Sequence, residues 1–454
     1  MSGTIKLGKY LSIDKDRLIN IEPDTTYTIA GVQNYGKGVL NKRVVKGFDL
    51  TMKKYQVIKP NQLMWCKVDT KNGAFGITTD EHEGSLASTN MCLANINTFY
   101  LNPDFLQLLF TNQWFYNSIT EKSTGTTNRQ YLTPQQLFEQ VEIPDFDIFE
   151  QEEFLIRYRS LKDSGIFEEL DQQQTYLQLL RQTILQEAVQ GKLTKQDPTD
   201  EPATELLKRI KAEKEKLNSS GASARSKKEK QLPPITADEI PFELPEGWIW
   251  CRLDQVGQIN PRNTFEDDKE VSFVPMTYLS SEFGIAPKQE TRKWKEVKSA
   301  FTHFAENDVA VAKITPCFEN SKAGIFKGLI NGIGAGTTEL HIFRGSLKCI
   351  LPDYVYLFFK SPDFLKKGES KMTGSAGQKR VPSDYIKNCL FPLPPFAEQQ
   401  RIVAKVQQLQ QQLSQLEAQV QQSRQYAQQL LQSVLKEAFE QKAEVHEMEV
   451  RLKY

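Results

Sequence analysis

Long apolar runs are missing from this chain. No window of about 18 apolar residues occurs, and a membrane-spanning helix needs roughly 20, so the sequence offers no spanning segment. The first residues, MSGTIKLGKYLSID, lack the apolar core of an export signal, and the expectation is a cytoplasmic protein. Histidine is scarce, with four in 454 residues, and the six cysteines lie apart at 66, 92, 251, 317, 349 and 389 without a C-x-x-C pair. That pattern argues against a structural zinc site and for reduced thiols. Net charge is missing as well: 57 basic residues balance 57 acidic ones. A nucleic-acid partner would have to be held by local basic clusters rather than by bulk charge.

Intact catalytic motifs are also absent. Residues 31–38, GVQNYGKG, approach a P-loop, but Gly38 stands where a Ser or Thr hydroxyl would hold Mg²⁺. A turn fits them better. Asn102-Pro103-Asp104-Phe105 and Ser361-Pro362-Asp363-Phe364 lack the second proline of an adenine methyltransferase motif and read as helix starts. Gly332–Gly336 is glycine-rich without the β-α-β spacing of a cofactor loop. Pro362-Asp363 with Glu369 and Lys371 is too tightly spaced for a nuclease metal site. No Ser or Cys pairs with His at an interpretable spacing. The residues therefore assign no catalytic, cofactor or metal site.

What is present is a repeat. Residues 391–442 run from FPLPP into one long helical pattern. Ile402, Val406, Leu409, Leu413, Leu416, Val420, Ser423, Ala427, Leu430 and Val434 alternate in steps of four and three, the seam of a coiled coil. Such a seam is marginal alone in water and predicts a partner helix. Leu177, Leu180 and Ile184 in the first half supply one. A shift of 248 lays Val141, Ile143, Pro144, Glu150, Gln151 and Phe154 on Cys389, Phe391, Pro392, Glu398, Gln399 and Ile402, and a shift of 250 lays 184–192 on 434–442. The chain is thus a tandem duplication, each half a globular domain, a proline turn and a long helix. Asp163-Ser164-Gly165 should break the first helix. In the first domain, apolar runs at 27–32, 62–68 and 91–100 predict strands, and 102–119 and 133–140 predict helices. Residues 218–234, NSSGASARSKKEKQLPP, form a basic linker with almost no apolar side chains.

Two polar loops occupy equivalent places, each just before a long helix: 124–131, TGTTNRQY, and 371–380, KMTGSAGQKR. Glycine admits backbone N–H groups to a phosphate, the amides and hydroxyls hydrogen-bond, and Arg or Lys adds charge and guanine readout. Thr126, Asn128, Arg129 and Tyr131 are the candidates in the first loop, and Ser375, Gln378, Lys379 and Arg380 in the second. Two basic clusters join them: Lys42 and Arg43, followed by Lys46, and Lys293 and Lys295, which flank Trp294 between Arg292 and Lys298. Taken singly, each of these is an ordinary solvated surface.

With LPEGW at 244–248, FPLPPFAEQQRIVAKV at 391–406 and LLRQTILQEAVQGKLTKQDPTDEPATELLKRIKAEK at 179–214, the whole chain resembles the specificity subunits of type I restriction–modification systems (HsdS). The first half departs from the pattern, since it has no LPEGW-like start and its proline turn reads VEIPDF. The resemblance implies an α/β (mixed α+β) fold. Two target-recognition domains would be joined by an antiparallel pair of long coiled-coil helices in a pseudo-twofold tandem repeat. The expected division is 1–142 for the first domain, 143–217 for a central spacer helix region, 218–240 for the linker, 241–392 for the second domain and 393–454 for the C-terminal spacer helix region. It further implies a non-catalytic subunit that recognises an asymmetric, two-part site in double-stranded DNA. Methylation subunits, and restriction or translocase subunits, would be its partners, with S-adenosylmethionine, ATP and Mg²⁺ bound on them. A helix over 397–440 would span roughly 65 Å, enough to hold two readers about one turn of B-DNA apart. A self-sufficient modification or restriction enzyme would need an intact cofactor motif. A coiled-coil scaffold without a DNA role would shift no duplex.

Overall fold

Both halves of the chain fold into the same strand order. The computed structural model describes residues 4–14, 17–67, 72–112, 115, 119, 122, 124–126, 129–219, 234–346, 348–375 and 377–451. Most of the expected linker, 218–240, lies outside these residues.

The first module holds β1 (Thr4–Lys6), β2 (Leu11–Ser12), β3 (Leu18–Asn20), β4 (Thr26–Val32), β5 (Val39–Lys46), β6 (Lys54–Val57), β7 (Gln62–Cys66), β8 (Phe75–Ile77), β9 (Leu86–Ala87) and β10 (Met91–Ile96). Next come α1 (Pro103–Thr111), the short strands β11 (Thr124–Thr126) and β12 (Arg129–Tyr131), α2 (Pro134–Gln140) and β13 (Glu142–Pro144). Two long helices come after them, α3 (Ile148–Lys162) and α4 (Ile166–Val189), and then α5 (Ala203–Ser219). The second module has β14 (Ile249–Arg252), β15 (Gly257–Ile259), β16 (Glu270–Val274), β17 (Glu290–Lys293), β18 (Thr302–Ala305), β19 (Val309–Ala312), β20 (Ala323–Ile325), β21 (Ile333–Gly336) and β22 (Leu340–Gly345). It continues with α6 (Pro352–Lys360), α7 (Pro362–Ser370), α8 (Ser383–Asn388) and β23 (Leu390–Leu393), and the chain closes on α9 (Phe396–Arg451).

The duplication is written in the hydrogen bonding. One four-stranded sheet runs β2–β10–β7–β8 in the first module and β15–β22–β19–β20 in the second, the same connection order. The other sheet runs β5–β4–β9–β6–β3 and β17–β16–β21–β18. In both, the strand next to the edge pairs parallel with its inner neighbour, β4 with β9 and β16 with β21. The opening strand of each module pairs antiparallel with its closing strand, β1 with β13 and β14 with β23. The central strands β7 (QLMWC, apolar from Leu63 on) and β19 (VAVA) are runs of apolar residues, which suits strands covered on both faces. Each is preceded by an asparagine at positive φ, Asn61 at 56° and Asn307 at 67°, a conformation that Asn tolerates better than most residues.

Each module is locked to its long helix by one buried glutamine. The Gln151 side-chain amide donates to the carbonyls of Tyr100 and Phe146, each at 2.9 Å, and its oxygen accepts from Asn102 N–H at 2.8 Å. Gln399 donates to Cys349 at 3.1 Å and Pro394 at 3.3 Å, and accepts from Leu351 N–H at 2.9 Å. Buried amides demand such partners, and here one side chain ties the sheet end, the following helix start and the proline turn together.

The first long helix does stop at Lys162, and Gly165 at φ 79° lets α4 restart. The helix start expected at Asn102 is also present, since its side chain caps α1 by accepting from Asp104 N–H at 2.9 Å. α1 closes at Thr111, where Asn112 N–H donates to the Leu109 carbonyl; of the rest of the expected 102–119, Phe115 and Ile119 are helical and 113–114 and 116–118 lie outside the described residues.

By internal contacts the chain forms two units, Met1–Asp171 with Gln421–Tyr454, and Gln172–Val420. The core of the first gathers Leu63, Trp65, Phe75, Phe105 and Phe110, with Phe75 and Phe110 stacked at 4.4 Å. That of the second is continuous from the sheet through Trp248 to the helices, taking in Leu177, Ile184, Leu206, Ile402, Val406 and Leu413. Within this second unit α4 and α9 run in opposite directions. Arg181 donates to Gln410 at 2.7 Å and Glu417 at 2.9 Å, whereas Thr194 and Gln196, further along, reach back to Glu398 at 3.2 and 3.1 Å. Among the expected seam residues, Leu177, Ile184 and Leu413 are buried, and Leu409 and Val420 pack beside them. Leu180, Leu416 and Leu430 are exposed, and Val434 is partly buried. Next to the exposed Leu416, the partly buried Glu417 pairs with Arg181 at 2.9 Å.

Candidate nucleic-acid interface

Both candidate loops are hairpins, and each is pinned in the same way. In the first module Thr124 pairs with Tyr131, Gly125 with Gln130 and Thr126 with Arg129. Asn128 lies outside the described residues. In the second, Thr373 and Arg380 exchange backbone hydrogen bonds at 3.0 and 2.8 Å, and Thr315 N–H donates to the Lys379 carbonyl at 3.0 Å. The residue that follows each hairpin is buried. Leu132 N–H donates to the Lys67 carbonyl at 3.3 Å, and Val381 N–H to that of Lys313 at 2.8 Å. Their carbonyls each accept from a buried ring: Trp65 indole N–H to Leu132 at 3.1 Å, and His341 Nε2 to Val381 at 2.9 Å. Different side chains thus hold the same backbone anchor. Burial holds the His341 imidazolium down to about 4, so the ring is neutral and Nε2–H is the donor.

At the second hairpin the tip is open. Ser375, Gln378 and Lys379 are exposed, with Gly374 at φ 126° and Gly377 at φ 77° shaping the turn. Arg380 is engaged differently. Its guanidinium forms a two-pronged pair with Glu339, Nε to Oε2 at 2.9 Å and Nη2 to Oε1 at 3.0 Å, which closes the hairpin base. The Arg380 hydrogen bonds hold the Glu339 carboxyl below its usual range.

The two basic clusters, unrelated in sequence, fall at equivalent edges: Lys42, Arg43 and Lys46 lie on β5, Arg292 and Lys293 lie on β17, and Lys295 and Lys298 lie in and after the one-turn helix Trp294–Val297 that follows it. Lys42 and Arg43 are exposed on β5. A register shift between Ile29 and Ala30 leaves Lys42 as the bulged residue, and its stem lies over Gly31, where a Cβ would meet its Cε at 2.5 Å. The β17 side is more heavily paired. Lys293 is exposed, but Lys295 pairs with Asp268 at 2.9 Å, Lys298 with Asp267 at 2.7 Å and Arg292 with Glu290 at 3.2 Å. Trp294 is no surface aromatic. It is buried against His303, ring centres 4.7 Å apart.

The weaker motif resemblances resolve into plain structure. Residues 31–38 are the end of β4 and its turn into β5, Gly332–Gly336 lie largely in β21, and Pro362 opens α7. Asp363 accepts from the Gln186 side chain at 2.8 Å. Among the described residues no group of three or more His, Cys, Asp or Glu could hold a metal ion, and no helix is long and apolar enough to cross a membrane.

Comparison with known proteins gives a consistent picture. The family of type I restriction modification DNA specificity domains matches residues 245–423. The chain is similar to the EcoAI specificity subunit of a type I restriction enzyme from Escherichia coli, 55% identical over 231 residues that cover 51% of this chain and 39% of that one. It is 54% identical, over 231 residues, to the EcoEI specificity subunit of the same organism, covering 51% of this chain and 38% of that one. The match therefore spans well under half the length of these relatives. A crystal structure of the HsdS subunit from Thermoanaerobacter tengcongensis shares the fold, with a TM-score of 0.51 at 17% identity and 96% of each chain covered.

Proposed function

We propose that this chain, homologous to the specificity subunits of type I restriction enzymes, is the DNA-reading subunit of such a complex. Residues 1–142 and 241–392 are its two target-recognition domains. Regions 143–217 and 393–454 supply an antiparallel coiled-coil spacer, 218–240 is a linker, and the repeat carries pseudo-twofold symmetry. One observation carries the reading beyond homology: two modules of matching strand order, the first with one added edge strand, present differently composed hairpins on the same backbone anchor, Lys67–Leu132 and Lys313–Val381. A shared frame with unlike surfaces suits an asymmetric, two-part site.

In this reading Thr126, Asn128, Arg129 and Tyr131 face one part of the duplex and Ser375, Gln378, Lys379 and Arg380 the other. Lys42, Arg43, Lys293 and Lys295 meet phosphates. The chain performs no chemistry. Methylation subunits carry S-adenosylmethionine and flip the target adenine into their own pocket, and restriction subunits carry ATP and Mg²⁺. The test is a genome-wide adenine-methylation map of cells that express this chain with its methylation subunit, against cells that lack only this chain. A split motif that vanishes with the chain is expected. Identical maps would sink the reading.

A further inference from the structure

The turn between β4 and β5 presents an aromatic ring on a strained backbone. Tyr35 sits there at φ 61°, in the left-handed region that bulky side chains seldom occupy. The residue is 58% exposed. Yet the turn is held from several sides. Gln33 N–H donates to Gly38 at 2.9 Å, Tyr35 N–H to Asn72 at 2.7 Å and Gly36 N–H to Gly73 at 2.8 Å. From α1 the Gln107 amide donates to the Gly36 carbonyl at 2.8 Å, while its oxygen accepts from Ile77 N–H at 2.8 Å. Gly36 lies so close to α1 that a Cβ would meet the Phe110 carbonyl oxygen at 2.1 Å. Strained conformations survive where their surroundings over-determine them, and they concentrate at binding sites.

The location adds to this. Asn72 and Gly73 end the segment that Lys67 begins, and the Lys67 carbonyl anchors Leu132 at the close of the first hairpin. Tyr35 therefore stands at the hairpin's end of the four-stranded sheet. Lys37 beside it is exposed, as are Lys42 and Arg43 further along β5, whereas Lys46 pairs with Thr26 at the far end of that strand. An outward ring set among cations is the composition of a nucleic-acid surface, where charge meets phosphate and the ring meets a base. In the second module the corresponding connection, 275–289, is longer and built from different residues.

We propose that Tyr35 is a base-contacting aromatic of the first module, stacking on or wedging beside a base of the duplex while Lys37 and Lys42 take flanking phosphates. The inference rests on the DNA-reading role argued above and gives it a residue that the hairpins do not supply.

The strain provides the test. Asn tolerates a left-handed conformation, so Tyr35→Asn relieves the backbone. The full chain, assembled with its methylation subunit, is compared with this variant on the duplex found by methylation mapping. The variant is expected to melt at an equal or higher temperature, yet to bind about ten-fold or more weakly. Its binding should keep the wild-type salt dependence, since no charge is lost. Tyr35→Phe should bind like wild type. A 2-aminopurine placed at the contacted step should change its fluorescence on binding wild type, brightening if the ring wedges and dimming if it stacks, and change less with the Asn variant. Unaltered affinity and fluorescence in the Asn variant would overturn the inference while leaving the DNA-reading role intact. Failure of wild type to prefer any sequence would overturn both.

Discussion

At the residue scale, single buried side chains do the joining. Gln151 and Gln399 announce themselves in the sequence, because they coincide under the same shift that aligns the proline turns. Their role is read from the structure alone, since nothing in a glutamine's neighbours says that it will tie two separate backbone segments to its own helix. His341 is not visible in the sequence as a support of the hairpin, because its partner Val381 lies 40 positions away. It leads to a pH prediction. Burial foremost, opposed by the Val381 hydrogen bond, aided by Lys313 and opposed by Glu339, lowers its pKa to about 4 from 6.5. The unfolded chain then binds the extra proton between these values and the folded chain does not. The stabilisation is complete above the unfolded value and is lost as pH falls from about 6.5 towards 4, by at most about 3 kcal/mol. Thermal unfolding of the second module's transition should show this decline. His341→Gln should flatten it, and an unchanged pH profile in that variant would place the sensitivity elsewhere.

At the scale of elements, the two edge strands separate what the sequence could reveal from what it could not. Both basic clusters are legible as composition. That they begin on equivalent strands is not, because β5 and β17 differ in length and come after connections of different length, and the second cluster runs on from β17 into the helical turn Trp294–Val297. Nor could the sequence say that Asp267 and Asp268 neutralise Lys298 and Lys295 while Lys42 and Arg43 stay outward on a bulged strand. If these strands meet phosphates, the double substitution Lys42→Ala with Arg43→Ala should reduce the slope of log affinity against log salt by about two. The paired substitutions Lys295→Ala with Lys298→Ala should change it by less than half as much. A titration of duplex binding across salt concentrations decides, and the reverse order would remove β5 from the interface. Among the helices, Leu413, like Ile402 and Val406, is a seam position on which the periodicity and the packing agree, for it is buried in the core that α4 and α9 share. Leu413→Ala should cost about 2–5 kcal/mol in a denaturant titration, whereas the same change at exposed Leu416 should cost well under 1. The 3.5-residue rule could not separate the two, because at this turn the more buried position is Glu417, paired with Arg181, rather than the apolar Leu416 beside it.

For the whole molecule, duplication is the organising fact, and it was legible because a tandem repeat leaves its mark in spacing even where side chains diverge. The two sheets of each module were not legible. Their parallel pairs, β4 with β9 and β16 with β21, join strands far apart in sequence, and short strands leave too few residues for periodicity to speak. If the long helices act as the spacer between two readers, their length is a property of the recognised DNA as much as of the protein. Deleting one heptad, 409–415, from α9 removes two helical turns. That shortens the helix by about 10 Å and rotates its remaining C-terminal part by only about 20°, so the seam can re-form. Since base pairs rise 3.4 Å each, the gap between the two halves of the methylated motif should change by up to about three base pairs. The two half-sites themselves should stay as they were, because no residue of either hairpin is touched. A methylation map of cells expressing the deletion reads both quantities at once. A changed gap with unchanged half-sites supports the ruler. An unchanged gap in an active complex would mean that the partner subunits, not these helices, measure the DNA.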